Sequence, residues 1–377
     1  MPEPIDARIL THFAELSDPR DERGKEHLLL DIVAISICAV ICGAESWVDI
    51  EEYGRAKVEW FATFLELPNG IPSHDTFARV FARVDPEQMQ QCFVNWVNAM
   101  SHLSQGEVVA IDGKTLRGSY DHVAGQGAIH MVSAWASVNR LVLGQRKVAD
   151  KSNEITAIPR LLEVLAIAGC TVTIDAMGCQ REIAAAIIDQ QANYVLALKE
   201  NQPSLLEDVQ WLFEQAQIKQ ADDPEMDFCR TVDKGHGRIE VRSCWTLCGT
   251  HLDYLVQKPH WKGLRTIAMV QAERRVNGKS SHEIRYYLSS LDKHATQIAQ
   301  AVRTHWMIEN ALHWVLDVSF HEDHCRIRKD YAPQNMTLLR QITLNLLGQD
   351  TSTKIGIAAK RKKAGWDNSY LLKILSQ

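Results

Sequence analysis

Two short apolar runs, Val108–Ile111 and Thr171–Ile174, are each followed at once by an aspartate, Asp112 and Asp175. Four consecutive strand-compatible residues that stop at a carboxylate describe a buried strand with a polar tip. The flanking segments restrict the fold further. Gly127–Asn139 and Arg140–Val148 read as two strands about a turn at Asn139-Arg140, with Val132, Ala134, Ala136 and Val138 spaced by two. Asn153–Ala168 carries helical periodicity through Ile155, Ile158, Leu161, Leu162 and Leu165 and is closed by Gly169. Glu182–Gln190 then reads as a helix and Tyr194–Leu198 as a strand. This order predicts an antiparallel hairpin joined to a parallel sheet, with helices on both faces. In such a sheet neighbouring strand ends converge, which would bring Asp112 and Asp175 together.

Residues 1 to about 105 show no strand pattern. Asp6–Leu16, His27–Cys42, Trp47–Tyr53, Lys57–Leu65, Ser73–Val84 and Pro86–Ser101 read as helices, with turns at Ser17–Arg20 and Pro68–Gly70. Ser73 is placed to cap its helix, with Asp75 near the positive N-terminal end. The apolar run Leu28–Ala44 holds Asp31 and Ser36 and lacks flanking anchors, which predicts a buried core helix and not a membrane span.

Gln202–Ala221 reads as a helix. Strands return at Phe228–Asp233, Arg238–Thr246, Arg265–Arg274 and Ser281–Ser289, with a turn at Gly235–Gly237 and a strong hairpin signal at Asn277-Gly278. Ala295–Asp317 then predicts one amphipathic helix, and Met336–Leu347 a late one. On the former, His305, Glu309 and His313 are spaced by four and share a face. That face is either solvated or a site.

The net charge of -6 argues against nucleic acid, but it hides an asymmetry. From Arg326 to Gln377 there are ten Lys/Arg and three Asp/Glu, including the run Lys360–Lys363. A basic end on an acidic protein is a candidate phosphate-binding surface, or else a solvated tail. The nine cysteines show no CxxC pair and no zinc-ribbon spacing, which fits reduced thiols in a cytoplasmic protein. Met1–Asp21 is charged and has no apolar core, unlike a signal peptide.

Each lone aspartate, taken singly, reads as a turn or cap residue. With Glu309 they form a set suited to magnesium, which prefers oxygen ligands and keeps positions open for water and phosphate. Two such ions about 4 Å apart can activate an attacking oxygen and stabilise a leaving one on the same phosphorus. The other constellations are weaker. His305, Glu309 and His313 do not have the HExxH order of zinc proteases. His321–Cys325 reads as a charged loop, Tyr286 and Tyr287 as strand alternation, and there is no P-loop and no GxGxxG.

AIDGKTLRGS around Asp112, KSNEITAIP from Lys151, TIDAMGCQ around Asp175, HGRIE from His236, RYYLSS from Arg285 and HWMIENALHWVLDV around Glu309 together resemble the H-repeat-associated transposases. These are an ISAs-type insertion-sequence family within the DDE group. The helical N-terminal domain joins the match through ICAVICGAESWVDIE and GIPSHDTFARV. The resemblance implies a ribonuclease-H-like mixed sheet with flanking helices at 106–200 and 292–348. It also implies a β-rich insertion at 201–291, an all-helical N-terminal domain at 1–105 that is a candidate DNA-binding unit, and a basic C-terminal end at 349–377. The implied activity is metal-dependent cleavage and strand transfer of double-stranded DNA at insertion-sequence ends, by a protein that is homo-oligomeric on DNA, nucleoid-associated when acting and not bound to membrane. Asp112, Asp175 and Glu309 match the DDE triad and would hold Mg2+, with Mn2+ as a substitute. Glu322 is a secondary candidate for the third carboxylate. The wider superfamily places Tyr and Arg seven and four residues before its Glu and Lys seven after, where this chain has Val302, His305 and Leu316. The parts played by Arg303 and His305 in phosphate handling stay open. Lys114, Arg117, Lys199, Asn201, His305, Arg326, Arg328 and Lys329 are the expected DNA contacts. A nuclease without strand transfer and a silent DNA-binding relic are the alternatives.

Overall fold

The structure, a computed structural model, describes residues 8–100, 103–120, 125, 127–148, 154–219, 223–235, 237–276 and 279–377. The Asn277-Gly278 turn, His236, Lys151–Asn153 and the first residues of the chain lie outside these.

Among the described residues, six α-helices come first: α1 (Arg8–Phe13), α2 (Leu29–Ile41), α3 (Trp47–Ala56), α4 (Val58–Phe61), α5 (His74–Arg83) and α6 (Pro86–Met100). Helix α2 is apolar on all sides and is buried on all sides, as its composition requires. Its one carboxylate, Asp31, accepts from the backbone of Leu67, which sits at positive φ (44°). Ser46 and Asp49 form a capping box on α3, and Ser73 caps α5 as expected.

Strands β1 (Val108–Leu116), β2 (Ile129–Ala136) and β3 (Leu141–Val148) follow, then α7 (Glu154–Leu162), β4 (Thr171–Ile174), α8 (Arg181–Asp189), β5 (Asn193–Leu198) and α9 (Pro203–Lys219). Next come β6 (Met226–Gly235), β7 (Arg238–Cys248), β8 (Thr266–Val276) and β9 (Lys279–Ser289). The nine strands of the described residues belong to one sheet in the order β3-β2-β1-β4-β5-β9-β8-β7-β6. Strands β1, β4 and β5 are parallel to one another, and the other pairings are antiparallel. The strands of 201–291 therefore extend the core sheet: β9 lies beside β5, with Val195 opposite Ser289 and Leu198 opposite Tyr286. Preceded by the helices and flanked by others, this is the mixed sheet of a ribonuclease-H-like fold.

Helix α10 (Ala295–His305) crosses one face of the sheet, touching β1, β4 and β5 and also β6 to β8. The expected single helix Ala295–Asp317 is interrupted. After Trp306 the chain forms a π turn, Glu309–His313, before α11 (Trp314–Phe320). A π turn widens the helix by one residue and changes its phase. Ile308, Leu312, Leu316 and Phe320 are buried in the core, while Trp306, Glu309 and Trp314 stay exposed. A second correction concerns Asp112, which was expected at a strand end. Strand β1 continues to Leu116 because β2 pairs along its whole length, from Val109↔Ala136 to Leu116↔Ile129. Only the parallel pairing with β4 stops, at Ile111↔Ile174. The helix predicted over Asn153–Ala168 also ends early, at Leu162.

Helix α12 (Ala332–Gln349) is the hub. It packs on α2, α5, α6 and β3, so one hydrophobic core runs from the N-terminal helices into the sheet. Its buried amides do specific work on the backbone. Asn345 both accepts from and donates to Val142 on the edge strand β3 (2.8 Å each), and Asn335 donates to the last carbonyls of α5.

The final helices, α13 (Ile357–Trp366) and α14 (Asn368–Leu375), fold back onto this hub. The expected basic surface at Lys360–Lys363 is therefore half interior. Lys360 donates to the carbonyls of Leu347 and Asp350, and Arg361 donates to those of Val40 and Ser319 while covering the Phe320 ring. No helix among the described residues is long and apolar enough to cross a membrane, and all nine cysteines are free thiols. Arg361→Ala removes the guanidinium donor from the Ser319 carbonyl, leaves the Val40 carbonyl to backbone donors such as the Gly43 N–H (3.3 Å), and is expected to cost about 2–4 kcal/mol. The exposed Lys362→Ala should cost less than about 0.5 kcal/mol. Urea unfolding midpoints of the two variants check this contrast.

Candidate active site

Asp112 and Asp175 each follow the last residue pair of the parallel β1–β4 ladder, so they emerge side by side on neighbouring strands. Such strands lie about 4.8 Å apart. The Asp112 carboxylate is mostly buried and accepts from the Gly113 N–H (2.9 Å). Glycine at 113 is a packing requirement: a Cβ there would lie 2.6 Å from both Glu154 Oε1 and His130 Nε2. Burial pushes the Asp112 carboxyl up to about 7 against the pull of that N–H, and the negative charges of Glu309, Asp175 and Glu154 add to the rise.

Across from β1 stands the π turn. Its ends present Glu309, whose side chain is half exposed, and His313, which is buried. His313 Nδ1 lies 3.6 Å from Asp112 Oδ2 and 3.6 Å from Glu309 Oε2. One donor atom from each of Asp112, Glu309 and His313 falls within 4.8 Å of the others. Burial pushes the imidazole down to about 4, with Glu309 opposing and Lys114 assisting, so it is neutral at physiological pH. Two carboxylates and a neutral imidazole form a candidate divalent-metal cluster.

Asp175 stands outside that cluster. Its Oδ1 is turned back to accept from the backbone N–H groups of Met177 (3.1 Å) and Gly178 (3.4 Å). It lines a small adjoining cavity of about 100 Å3 together with Thr173, Lys199, His305, Arg285 and Trp306. His305 Nδ1 is hydrogen-bonded to Thr173 Oγ1 (3.1 Å), and burial lowers its pKa despite the nearby Asp175. His305 and His313 thus flank the two aspartates, one on each side.

The expected DNA contacts separate into two groups. Lys199, Arg326 and Lys329 are exposed, and Arg117 is largely exposed at 3.5 Å from Asp323. Asn201 donates to the carbonyl of Ala176 (2.6 Å), and Arg328 donates to that of Gly118 while stacking on Tyr120. Lys114 is buried and bonded to Asp317 Oδ1 (2.5 Å) and Glu322 Oε2 (2.8 Å), so it offers no charge to solvent. Glu322 is deeply buried between Lys114 and Arg340 as an ion-pair partner and is not one of the three residues of the cluster. Two residues of this neighbourhood had no isolated signal in the sequence. Glu154 and His130 pair directly behind Gly113, and His130 also bonds Thr115. The KSNEITAIP run containing Glu154 was their only trace.

The family model described as "Transposase DDE domain" matches residues 103–346, and the one described as "DDE_Tnp_1-associated" matches residues 10–97. The "H repeat-associated putative transposase YhhI" of Escherichia coli (strain K12) is 39% identical over 373 residues, covering 98% of each chain. The chain belongs to the H-repeat-associated DDE transposase family. Other members include "Putative transposase YncI" of Escherichia coli O157:H7, 39% identical over 98% of this chain and 94% of that one. A family member described as "Inactive transposase YbfQ", from Escherichia coli (strain K12), matches 20% of this chain at 40% identity, spanning 90% of its own length.

The raised Asp112 pKa has a consequence for stability. A carboxyl whose folded pKa lies above its unfolded value penalises the fold at pH values above the unfolded pKa. The penalty is absent below about pH 4, grows towards pH 7 and is complete above it. Asp112→Asn is therefore expected to stabilise the metal-free protein at pH 8 by about 2–4 kcal/mol, and not at pH 4. Thermal melts of both proteins at the two pH values, in EDTA, check the sign.

Proposed function

We propose that this family member is an active DDE transposase, cleaving double-stranded DNA at insertion-sequence ends and joining the freed 3′ end to a target. The observation that carries the reading is the convergence of Asp112 with Glu309 and His313 at the edge where Asp175 also emerges. Asp112, Asp175 and Glu309 would hold the divalent ions, Mg2+ or Mn2+. Bound there, such ions supply an activated water and charge neutralisation on the phosphate. The buried Asp112 carboxylate is ill at ease without a cation, which makes it a strong ligand once one arrives. Asp175 already fixes the turn after β4, so its free oxygen is aimed by the backbone. His305, held by Thr173 and pushed towards its neutral form by burial, can offer a hydrogen bond. Lys199 and Arg285, which line the same cavity as Asp175, would be the cationic groups that meet a phosphodiester, Arg285 from its ion pair with Glu283 (2.7 Å).

The exposed Arg117, Arg326, Lys329 and Lys362 would add contacts along the DNA backbone. In this reading the helices of 1–105 form a DNA-engaging unit, 106–200 with 292–348 the catalytic core, and 201–291 an insertion that widens the surface beside the site. Pairing two element ends calls for more than one copy on DNA.

The test is cleavage and strand transfer by the purified protein on DNA flanking its own gene, with Mg2+, Mn2+ or EDTA. Asp112→Asn, Asp175→Asn and Glu309→Gln should each lower cleavage at least about a hundredfold while DNA binding persists. Wild-type cleavage by Asp175→Asn would remove that residue from the site. Cleavage without joining would make the protein a nuclease, and binding without cleavage under either ion would make it a relic. Arg326→Ala with Lys329→Ala should weaken binding and flatten its salt dependence, read from affinities at several salt concentrations.

A further inference from the structure

We propose that Lys114 is a positioning residue of the metal site, setting the gap between Asp112 and the Glu309–His313 turn. The inference rests on the site reading above. Asp112 and Lys114 are two residues apart on β1 and so point to the same face, about 6.8 Å from each other along the strand. His313 and Asp317 are four residues apart on the facing helix and so share a face, about 6 Å apart along its axis. Strand and helix therefore meet in two matched rungs. On the first, His313 Nδ1 lies 3.6 Å from Asp112 Oδ2 and 3.6 Å from Glu309 Oε2, spacings too long for a hydrogen bond. Two carboxylates on that rung repel each other, so among the described residues no ion pair or short hydrogen bond on that rung ties the strand to the helix.

The second rung supplies the attraction. Lys114 Nζ bonds Asp317 Oδ1 at 2.5 Å and Glu322 Oε2 at 2.8 Å. Its side chain is only 13% exposed, and that of Glu322 only 1%. Glu322 also faces Arg340 on the hub helix α12 at 3.7 Å. A charge this deep is tolerated only with partners in good geometry, and removing one partner is strongly destabilising. The contact continues past Lys114: Arg117 lies 3.5 Å from Asp323, and a Cβ on Gly118 would lie 2.1 Å from the Cys325 carbonyl oxygen. The segment 322–325 is thus strapped along the end of β1. The ammonium group fixes β1, α11 and α12 relative to one another, one rung away from the carboxylates.

The experiment measures Mn2+ affinity of the full chain, by bound-ion magnetic resonance, for the wild type and Lys114→Met, Lys114→Arg, Asp317→Asn, Asp112→Asn and Arg361→Ala. Lys114→Met should bind Mn2+ at least about tenfold more weakly, as partners behind metal ligands commonly do, and Lys114→Arg should recover part of the loss. Arg361→Ala should lower the melting temperature and leave Mn2+ affinity unchanged, separating positioning from general stability. If Lys114→Met does not fold, Asp317→Asn, on the more exposed partner, should still weaken binding. Wild-type Mn2+ affinity in the folded Lys114 or Asp317 variant overturns the inference. So does a DNA affinity whose salt slope falls by about one in Lys114→Met, since that marks a phosphate contact. Wild-type Mn2+ affinity in Asp112→Asn instead overturns the site reading, and this inference with it.

Discussion

The parallel pairing of β1 with β4 is the constraint on which the candidate site depends. Its last rung, Ile111 with Ile174, places two aspartates on adjacent strands at one edge of the sheet. Backbone hydrogen bonds set that register, and a slip of one residue would turn each aspartate to the opposite face. Beyond the rung, β4 leaves the sheet while β1 continues beside β2. Asp112 is thereby held in regular backbone, whereas Asp175 is held by a turn that its own carboxylate caps. The two aspartates have different rigidity from the start.

Burying carboxylates near one another is costly, and the surrounding structure compensates in particular places. The Gly113 N–H offsets part of the cost at Asp112, and the neutral His313 separates Asp112 from Glu309. Lys114 ties the same strand to the same helix one rung away. Further out, helix α12 satisfies edge-strand and helix-end backbone groups with Asn345 and Asn335. The basic C-terminal residues continue that pattern, since Lys360 and Arg361 spend their donors on buried carbonyls.

Much of this was legible in the sequence. The helical first hundred residues, the strand order, and the two aspartates after apolar runs all followed from local periodicity and composition. So did the spacing of Glu309 with His313. What escaped was non-local. The continuation of β1 to Leu116 depends on β2 being its partner. The π turn falls where the chain passes from α10 on the sheet to α11 beside α13, a change of neighbours that no local pattern records. Lys114 read as a phosphate contact because it stands beside Asp112. Its partners Asp317 and Glu322 lie some two hundred residues further on. Lys360 and Arg361 read as a basic surface because burial of a charged run cannot be seen from the run itself.

Sequence alone determined which residues are candidates for the chemistry and which elements bear them, because helix and strand periods and long family motifs are local properties. Tertiary structure decided which charges face the site and which are consumed as braces. It also decided that the β-rich segment extends the core sheet through β9, and that His313 sits between Asp112 and Glu309. The physical reason is that charge pairing, sheet closure and burial are settled between elements far apart in the chain, where no local pattern records the partner.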